Sequence, residues 1–279
     1  MAVLKMDAAD FKRLSSFILQ KYGINLTQKQ TLIEGRLGNT IIQRGFKDFK
    51  SFIDMIFADK SGTEMINLLN KLTTNHTYFL REKEHYDFMK EVALPHFEKT
   101  KKDHKINIWS AACSSGEEPY TNVMAVLEYF AGKAAAWNVE ILATDISERV
   151  MNKAKEAIYH EDSMKNLPDT WKRKYFLKQP NDCFKVAPEV TKRVTFKTFN
   201  LMDAVPFTAR PYDIIFCRNV MIYFENDTKI AVVKRLYNAL VPGGYLFIGH
   251  AESITRGTTD YQFVKPAIYR KPIPGEDSK

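Results

Sequence analysis

Apolar residues recur at helical spacing along the first quarter of the chain. Phe11, Leu14 and Ile18 make one stripe; Leu32, Ile33, Leu37 and Ile41 make a second. Phe49, Phe52, Ile53 and Ile56 make a third, and Met65, Ile66, Leu68, Leu69 and Leu72 a fourth. Four stripes with polar residues between them predict a small helical bundle, its second helix closed by Gly45 where a C′ glycine belongs. Residues 73–81, Thr-Thr-Asn-His-Thr-Tyr-Phe-Leu-Arg, break the pattern. Polar first and aromatic after, they read either as an interdomain linker or as part of a site. A further amphipathic helix is expected over 84–99, with Tyr86, Met89, Val92 and Phe97 on its apolar face and Pro95 in its last turn.

The period then changes. Short apolar runs at 106–110, 139–144, 194–199, 212–217 and 245–250 alternate with helical patterns at 119–130, 148–157 and 227–240. Strands separated by helices predict an α/β fold with a mostly parallel, doubly wound sheet. Runs at 261–264 and 267–270 read as an antiparallel hairpin at one edge of it. About 35 residues separate the helix ending near Ala157 from the strand at Val194, far more than a plain connection needs. They predict an inserted subdomain of a few short strands over about 160–193, suited to binding a partner rather than to catalysis. The expected division is a helical domain with linker over 1–80 and a sheet domain over 81–279.

Composition narrows the class. With 41 Lys and Arg against 33 Asp and Glu, the 279-residue chain carries +8, so an acidic partner is expected. Between Tyr22 and Lys50 the cations Lys29, Arg36, Arg44, Lys47 and Lys50 face only Glu34 and Asp48, a local excess of +3. This is either a solvated face or a docking surface for an acidic helix or a phosphate backbone. The three cysteines have no pair spacing, so neither a disulfide framework nor a zinc site is implied. The six histidines are dispersed and no metal is expected. With no signal-peptide pattern and no membrane-spanning apolar run, a cytoplasmic protein is the expectation.

In doubly wound sheets ligands bind outside the carboxyl ends of the strands. The first strand runs into small residues, Ala111 to Gly116, then Glu117, Glu118 and Pro119 in the first turn of a helix. Alone, that stretch is either a packing turn or a ligand loop. Asp145 ends the second strand, where a carboxylate can accept both hydroxyls of a ribose; its alternative role is a helix N-cap, which Ser147 can fill instead. Asn200, Leu201 and Asp203 follow the third strand, placed for an adenine edge. Arg218, Asn219 and Tyr223 follow the fourth. The turn lacks the second and third glycines of a dinucleotide site, and two acids beside it would repel a pyrophosphate. They suit a cationic, phosphate-free nucleoside such as S-adenosylmethionine.

Several segments resemble the bacterial chemotaxis receptor methyltransferases (CheR). They are residues 73–81, Trp109-Ser-Ala-Ala-Cys-Ser-Ser-Gly-Glu-Glu-Pro-Tyr120, Ala143-Thr-Asp-Ile146, Phe216-Cys-Arg-Asn-Val-Met-Ile-Tyr-Phe224 and Leu240-Val-Pro-Gly-Gly-Tyr-Leu-Phe-Ile-Gly-His-Ala-Glu-Ser253. The resemblance covers nearly the whole chain. It implies an N-terminal all-α domain, a class I S-adenosylmethionine-dependent methyltransferase domain with a Rossmann-like sheet, and an inserted β-subdomain. It further implies methyl transfer from S-adenosylmethionine to glutamate carboxylates of receptors, with S-adenosylhomocysteine as product. By motif, cofactor contacts fall on Asn75, Thr77, Arg81, one of Glu117 and Glu118, Asp145, Asn200, Leu201, Arg218 and Asn219. Arg81 and Tyr223 are the positions nearest the transfer. The implied partners are acidic receptor helices met by the basic helix between Lys29 and Lys50, with the enzyme a monomer that reaches the membrane only through receptors. Some relatives hold a receptor-tail pentapeptide on a glycine-containing loop; here residues 177–184 contain no glycine, so that tether is not expected. A nucleic-acid methyltransferase is disfavoured, because the segment after the fourth strand lacks the paired prolines used for amino-group methylation. A non-catalytic cofactor-binding module is the remaining rival.

Overall fold

Four helices open the chain: α1 Ala8–Tyr22, α2 Gln30–Gln43, α3 Phe49–Ala58 and α4 Thr63–Leu72. The computed structural model describes residues 4–73, 76–133, 136–205 and 211–275. They form two units, Met1–His76 with Tyr223–Thr228, and Thr77–Ile222 with Lys229–Lys279. In the first unit Asp7 and Asp48 cap α1 and α3 by accepting the N–H groups of Ala9 and Ser51. Gly23 (φ 70°) and Gly45 (φ 79°) end α1 and α2 in the left-handed region. Most of the predicted stripe residues are buried; Phe11 and Ile66 are half-buried, and Leu32 is 40% exposed. It lies on the outer face of α2 with Gly35, Asn39 and Ile42, at spacings of three, four and three residues. Ile24 bridges Phe224, and the Asn25 N–H donates to the Tyr223 carbonyl at 2.9 Å, which brings 223–228 into this unit.

The basic stretch is less free than its charge count suggests. Arg44 pairs with Glu64 at 2.6 Å and Lys50 with Asp54 at 2.7 Å. Arg36 donates to the Lys71 and Leu72 carbonyls at the end of α4. All five cations are exposed, but Arg36 and Arg44 tie α2 to α4 and Lys50 pairs within α3, which leaves Lys29 and Lys47 as the two without such a contact among the described residues.

The second unit begins with α5 Lys83–Phe88, a π-helical turn Met89–Ala93 and α6 Leu94–Thr100. The π turn corrects two expectations. It adds a residue to the turn, so Ala93 and Leu94 are buried while Val92 is 42% exposed. Pro95 starts α6 rather than ending a helix.

The strands are β1 Lys105–Ala111, β2 Asn138–Asp145, β3 Ile158–His160, β4 Phe176–Gln179, β5 Cys183–Val186, β6 Val194–Thr198, β7 Tyr212–Cys217, β8 Leu240–Ile248, β9 Gln262–Lys265 and β10 Ile268–Arg270. Seven form one sheet in the order β6-β2-β1-β7-β8-β10-β9. The first five are parallel, and β10 is antiparallel to β8 and β9. Helices α7 Glu117–Tyr129, α8 Glu148–Glu156 and α11 Asn226–Ala239 connect them. From β1 the strand order moves out through β2 to β6, then returns to β7 on the other side of β1. The switch point therefore lies between Ala111 and Cys217, paired at the ends of β1 and β7. Ile108, Ile214, Phe216 and Phe247 are buried among them, Phe216 stacked on Phe247 at 4.6 Å.

The insertion is a three-stranded sheet, β3-β5-β4, with α9 Asp169–Tyr175 and α10 Pro188–Thr191 beside it. Its hairpin turns without glycine: Asn181 (φ 57°) and Asp182 (φ 50°) take the left-handed conformation that their short polar side chains tolerate. Buried Phe79 packs edge-on against Tyr159 and Phe176 at 4.9 and 5.2 Å, and its N–H donates to the Ser163 carbonyl. The segment leading to Arg81 is thus anchored in the insertion.

Candidate active site

At the end of β1 the backbone alternates hands. Ala112 (φ 62°), Ser114 (φ 49°) and Gly116 (φ 95°) are all left-handed. Two of these are non-glycine residues in a conformation that costs energy, a strain that concentrates at ligand sites. The turn is held by the Cys113 N–H on the Thr144 carbonyl and the Ser114 N–H on Asp145 Oδ2, both 2.9 Å. Gly116 admits no side chain: a Cβ would lie 2.8 Å from both Ala154 Cβ and the Tyr159 hydroxyl. That hydroxyl donates to the Ser115 carbonyl at 2.6 Å, so the inserted sheet also shapes this turn.

Asp145 closes β2. Its other oxygen accepts the Ser147 N–H at 3.0 Å, and Ser147 takes the N-cap position of α8. Burial raises the Asp145 pKa against the pull of these N–H groups. Each carboxylate oxygen keeps acceptor capacity for a further donor. Asn200 and Leu201 follow β6 next to it, where Asp145 pairs with Thr198. Asn200 Oδ1 accepts the Met202 N–H, and the Leu201 carbonyl accepts from Arg235 at 2.7 Å.

The two acids at the N-terminus of α7 differ. Glu117 is buried and accepts from the Ser115 hydroxyl at 2.7 Å. Glu118 accepts from the Ser110 hydroxyl at 2.6 Å and from Arg218 Nη1 at 3.1 Å. Burial raises the pKa of both. The helix N-terminus favours their charge, and the two carboxylates standing there disfavour a phosphate beside them.

Arg218 is the hub. Nε and Nη2 donate to Glu82 Oε2 at 3.2 and 3.0 Å, and Nη1 donates to the Tyr86 hydroxyl at 3.3 Å as well as to Glu118. The remaining Nη2 proton goes to the Arg81 carbonyl. All five N–H donors meet protein groups. The side chain is 2% exposed and works as a strut rather than as a free ligand for a small molecule. Asn219 (φ 59°) is also engaged: Nδ2 contacts Glu82 Oε1 at 3.3 Å, and its N–H donates to Glu252.

Two carboxylates that sequence patterning passes over organise this region. Glu82 (φ 55°) ties Arg218, Asn219 and the His250 N–H together. Burial works to raise its pKa but is outweighed by Arg218 and these hydrogen bonds, which hold it below the usual range. Glu252 accepts four backbone N–H groups, from Asn219, Gly249, Met221 and Ile222, at 2.6–3.2 Å. Gly249 is required there, since a Cβ would sit 2.9 Å from Glu252 Oε2. His85 is fully buried near Glu82, and burial, then the charge of Arg218, depress its pKa to about 3. Glu82, His85 and His250, dispersed in sequence reading, thus meet in space.

Among the other expected site residues, Thr77 and Arg81 are partly exposed. Asn75 lies outside the described residues. Tyr223 belongs to the helical unit. The residues of the sheet unit fit S-adenosylmethionine: a phosphate-free turn, a carboxylate at the end of β2, and two acids at a helix N-terminus.

Comparison with known proteins agrees with this geometry. The CheR methyltransferase all-alpha domain matches residues 9–73 and the CheR methyltransferase SAM binding domain matches residues 75–269. A chemotaxis protein methyltransferase of Borreliella burgdorferi is 42% identical over 267 residues, covering 94% of each chain. Chemotaxis protein methyltransferase 2 of Vibrio cholerae is 33% identical, covering 97% of this chain and 95% of its own. Chemotaxis protein methyltransferase 1 of Pseudomonas aeruginosa is 34% identical, covering 94% and 97%. With a helical domain, a doubly wound sheet and a phosphate-free turn at its switch point, the chain belongs to the CheR family of S-adenosylmethionine-dependent chemotaxis methyltransferases.

Proposed function

We propose that the enzyme esterifies glutamate side chains of chemotaxis receptors. The observation that carries this reading is Asp145 set against the left-handed 112–116 turn, a nucleoside site without a phosphate cradle. We assign cofactor contact to Asn75, Thr77, Arg81, Asp145, Asn200 and Leu201, with Glu117 and Glu118 flooring the turn. Arg218 and Asn219 act mainly through the loop they shape, because their side chains are engaged by Glu82, Glu118 and Tyr86.

When bound, the cofactor supplies a methyl group on a sulfonium, already activated for transfer. A glutamate with a pKa of about 4.3 is already a carboxylate at neutral pH. Little acid–base work remains, and in-line positioning supplies about 7–11 kcal/mol. Arg81 orients the incoming carboxylate, and Tyr223 shapes the channel. A grip tighter in the ground state than in the transition state would slow turnover, so Arg81 orients rather than clamps. The test is labelled methyl donor with receptor-containing membranes. Base-labile label on receptor protein supports the reading; label in nucleic acid, or none, overturns it. Arg81→Ala is expected to lower turnover more than cofactor affinity.

For receptor docking we assign the outer face of α2. Leu32 and Ile42 are exposed by 40% and 51%, and a Cβ on Gly35 between them would meet nothing within 4 Å. An apolar stripe with a small residue at its centre suits close approach of another helix, and Lys29 and Lys47 nearby suit an acidic one. Lys29→Glu with Lys47→Glu is expected to raise KM for receptors and reduce its salt dependence. The short 180–182 hairpin supports activity without a receptor-tail tether, which calorimetry with a tail peptide tests. The enzyme works in the cytoplasm as a monomer, reaching the membrane through receptors; no helix among the described residues is long and apolar enough to cross a membrane.

A further inference from the structure

We propose that Glu82, His85 and His250 form a binding site for one divalent transition-metal ion of the zinc class. One ligand atom from each lies within 4.8 Å of the others. The three come from different places: Glu82 precedes α5, His85 lies in its first turn, and His250 follows β8. His85 is completely buried, and neither ring nitrogen has a hydrogen-bond partner among the described residues. A buried imidazole with two unmatched nitrogens is an expensive arrangement, and a metal on one of them offsets that cost.

The geometry is close to what zinc needs. A tetrahedral zinc with ligands at about 2.1 Å holds them about 3.4 Å apart. His85 Nδ1 and Glu82 Oε2 are already 3.5 Å apart. His250, its ring centroid 4.9 Å from that of His85, has to swing inward; it is exposed, so its rotamer is free to change and solvent has a path to the site. Two imidazoles and one carboxylate, with water in the fourth place, form an open zinc set. Calcium and magnesium, which take oxygen ligands, do not fit it.

Arg218 beside Glu82 does not exclude a cation. One guanidinium faces two carboxylates, Glu82 and Glu118, a local charge of −1. Lys265, held over the Phe88 ring at 5.0 Å, is exposed and screened by solvent. A ligating carboxylate is ordinarily hydrogen-bonded from behind, and Arg218 already does this for Glu82.

The test uses the full chain without a histidine tag, titrated with zinc by calorimetry and with cobalt by visible absorption. The expected result is one equivalent of zinc, intense cobalt d–d bands, and at least tenfold weaker binding in His85→Ala and His250→Ala. His250 is exposed, so His250→Ala decides the matter if His85→Ala does not fold. Absence of stoichiometric zinc binding in the wild type, or binding undiminished in His250→Ala, overturns the proposal. Neither readout depends on methyl transfer.

Discussion

Arg218 Nη1 stands 3.1 Å from Glu118 Oε2, while the same guanidinium holds Glu82 from its other edge. One residue at the end of β7 thereby connects the first turn of α7 to the backbone of Arg81. The two acids respond oppositely. Burial dominates at Glu118 and raises its pKa; at Glu82 burial is outweighed by Arg218 and the hydrogen bonds from Asn219 and His250, which lower it. Removing the guanidinium leaves both carboxylates buried without their partner. Arg218→Ala is expected to cost about 3–5 kcal/mol in urea denaturation. Arg218→Lys is expected to recover only part of this, because an ammonium cannot present five donors in a plane.

Glu252 gathers the 218–222 loop through three backbone N–H groups and accepts a fourth from Gly249. Glu252→Gln replaces one acceptor oxygen with an NH₂ that faces N–H donors. The expected cost is about 2 kcal/mol of stability. Methyl transfer is expected to fall on the order of tenfold to a hundredfold through misplacement of the loop. The check is kcat measured at a temperature where circular dichroism finds the variant fully folded; an unchanged kcat there would make Glu252 purely structural.

Gly116 tests the turn directly. Alanine at φ 95° is strained, and its Cβ would meet Ala154 and the Tyr159 hydroxyl. Gly116→Ala is expected to lose more than about 1 kcal/mol of stability and to weaken S-adenosylhomocysteine binding. Tyr159→Phe clears the hydroxyl at a cost of about 1 kcal/mol for its hydrogen bond to Ser115. In the double variant the two losses are expected to be less than additive, since one clash is gone.

Much of this was legible in the chain because it rests on period and on strand ends. Alternating strands and helices give the doubly wound sheet, and the end of each strand points to Ala111, Asp145, Asn200 and Arg218. What escaped has no such signal. Glu82 and Glu252 look like ordinary surface acids; only their three-dimensional neighbours, Arg218 and the N–H groups of the 218–222 loop, make them structural. Ala112 and Ser114 carry no side-chain sign of a left-handed backbone. Arg36 and Arg44 count toward a basic face until the bundle places Leu72 and Glu64 against them. The π turn moved Val92 outward because a helical wheel assumes a uniform turn.

Burial lifts Asp145 above the ordinary aspartate range before any ligand binds. Ribose hydroxyls donate to the ionised carboxylate, so binding favours that form and lowers its pKa in the complex. Affinity is therefore complete above the pKa of the free protein and declines as pH falls through it. Because that pKa is raised, the decline is expected to start at a higher pH than for an exposed aspartate. Calorimetry of S-adenosylhomocysteine binding across the acid range measures this in the wild type. Asp145→Asn is expected to bind more weakly at neutral pH and to lose the acid-side dependence. If the asparagine variant keeps the wild-type pH profile, the titrating group lies elsewhere in the site, and Glu118, also raised by burial, is the next residue to substitute.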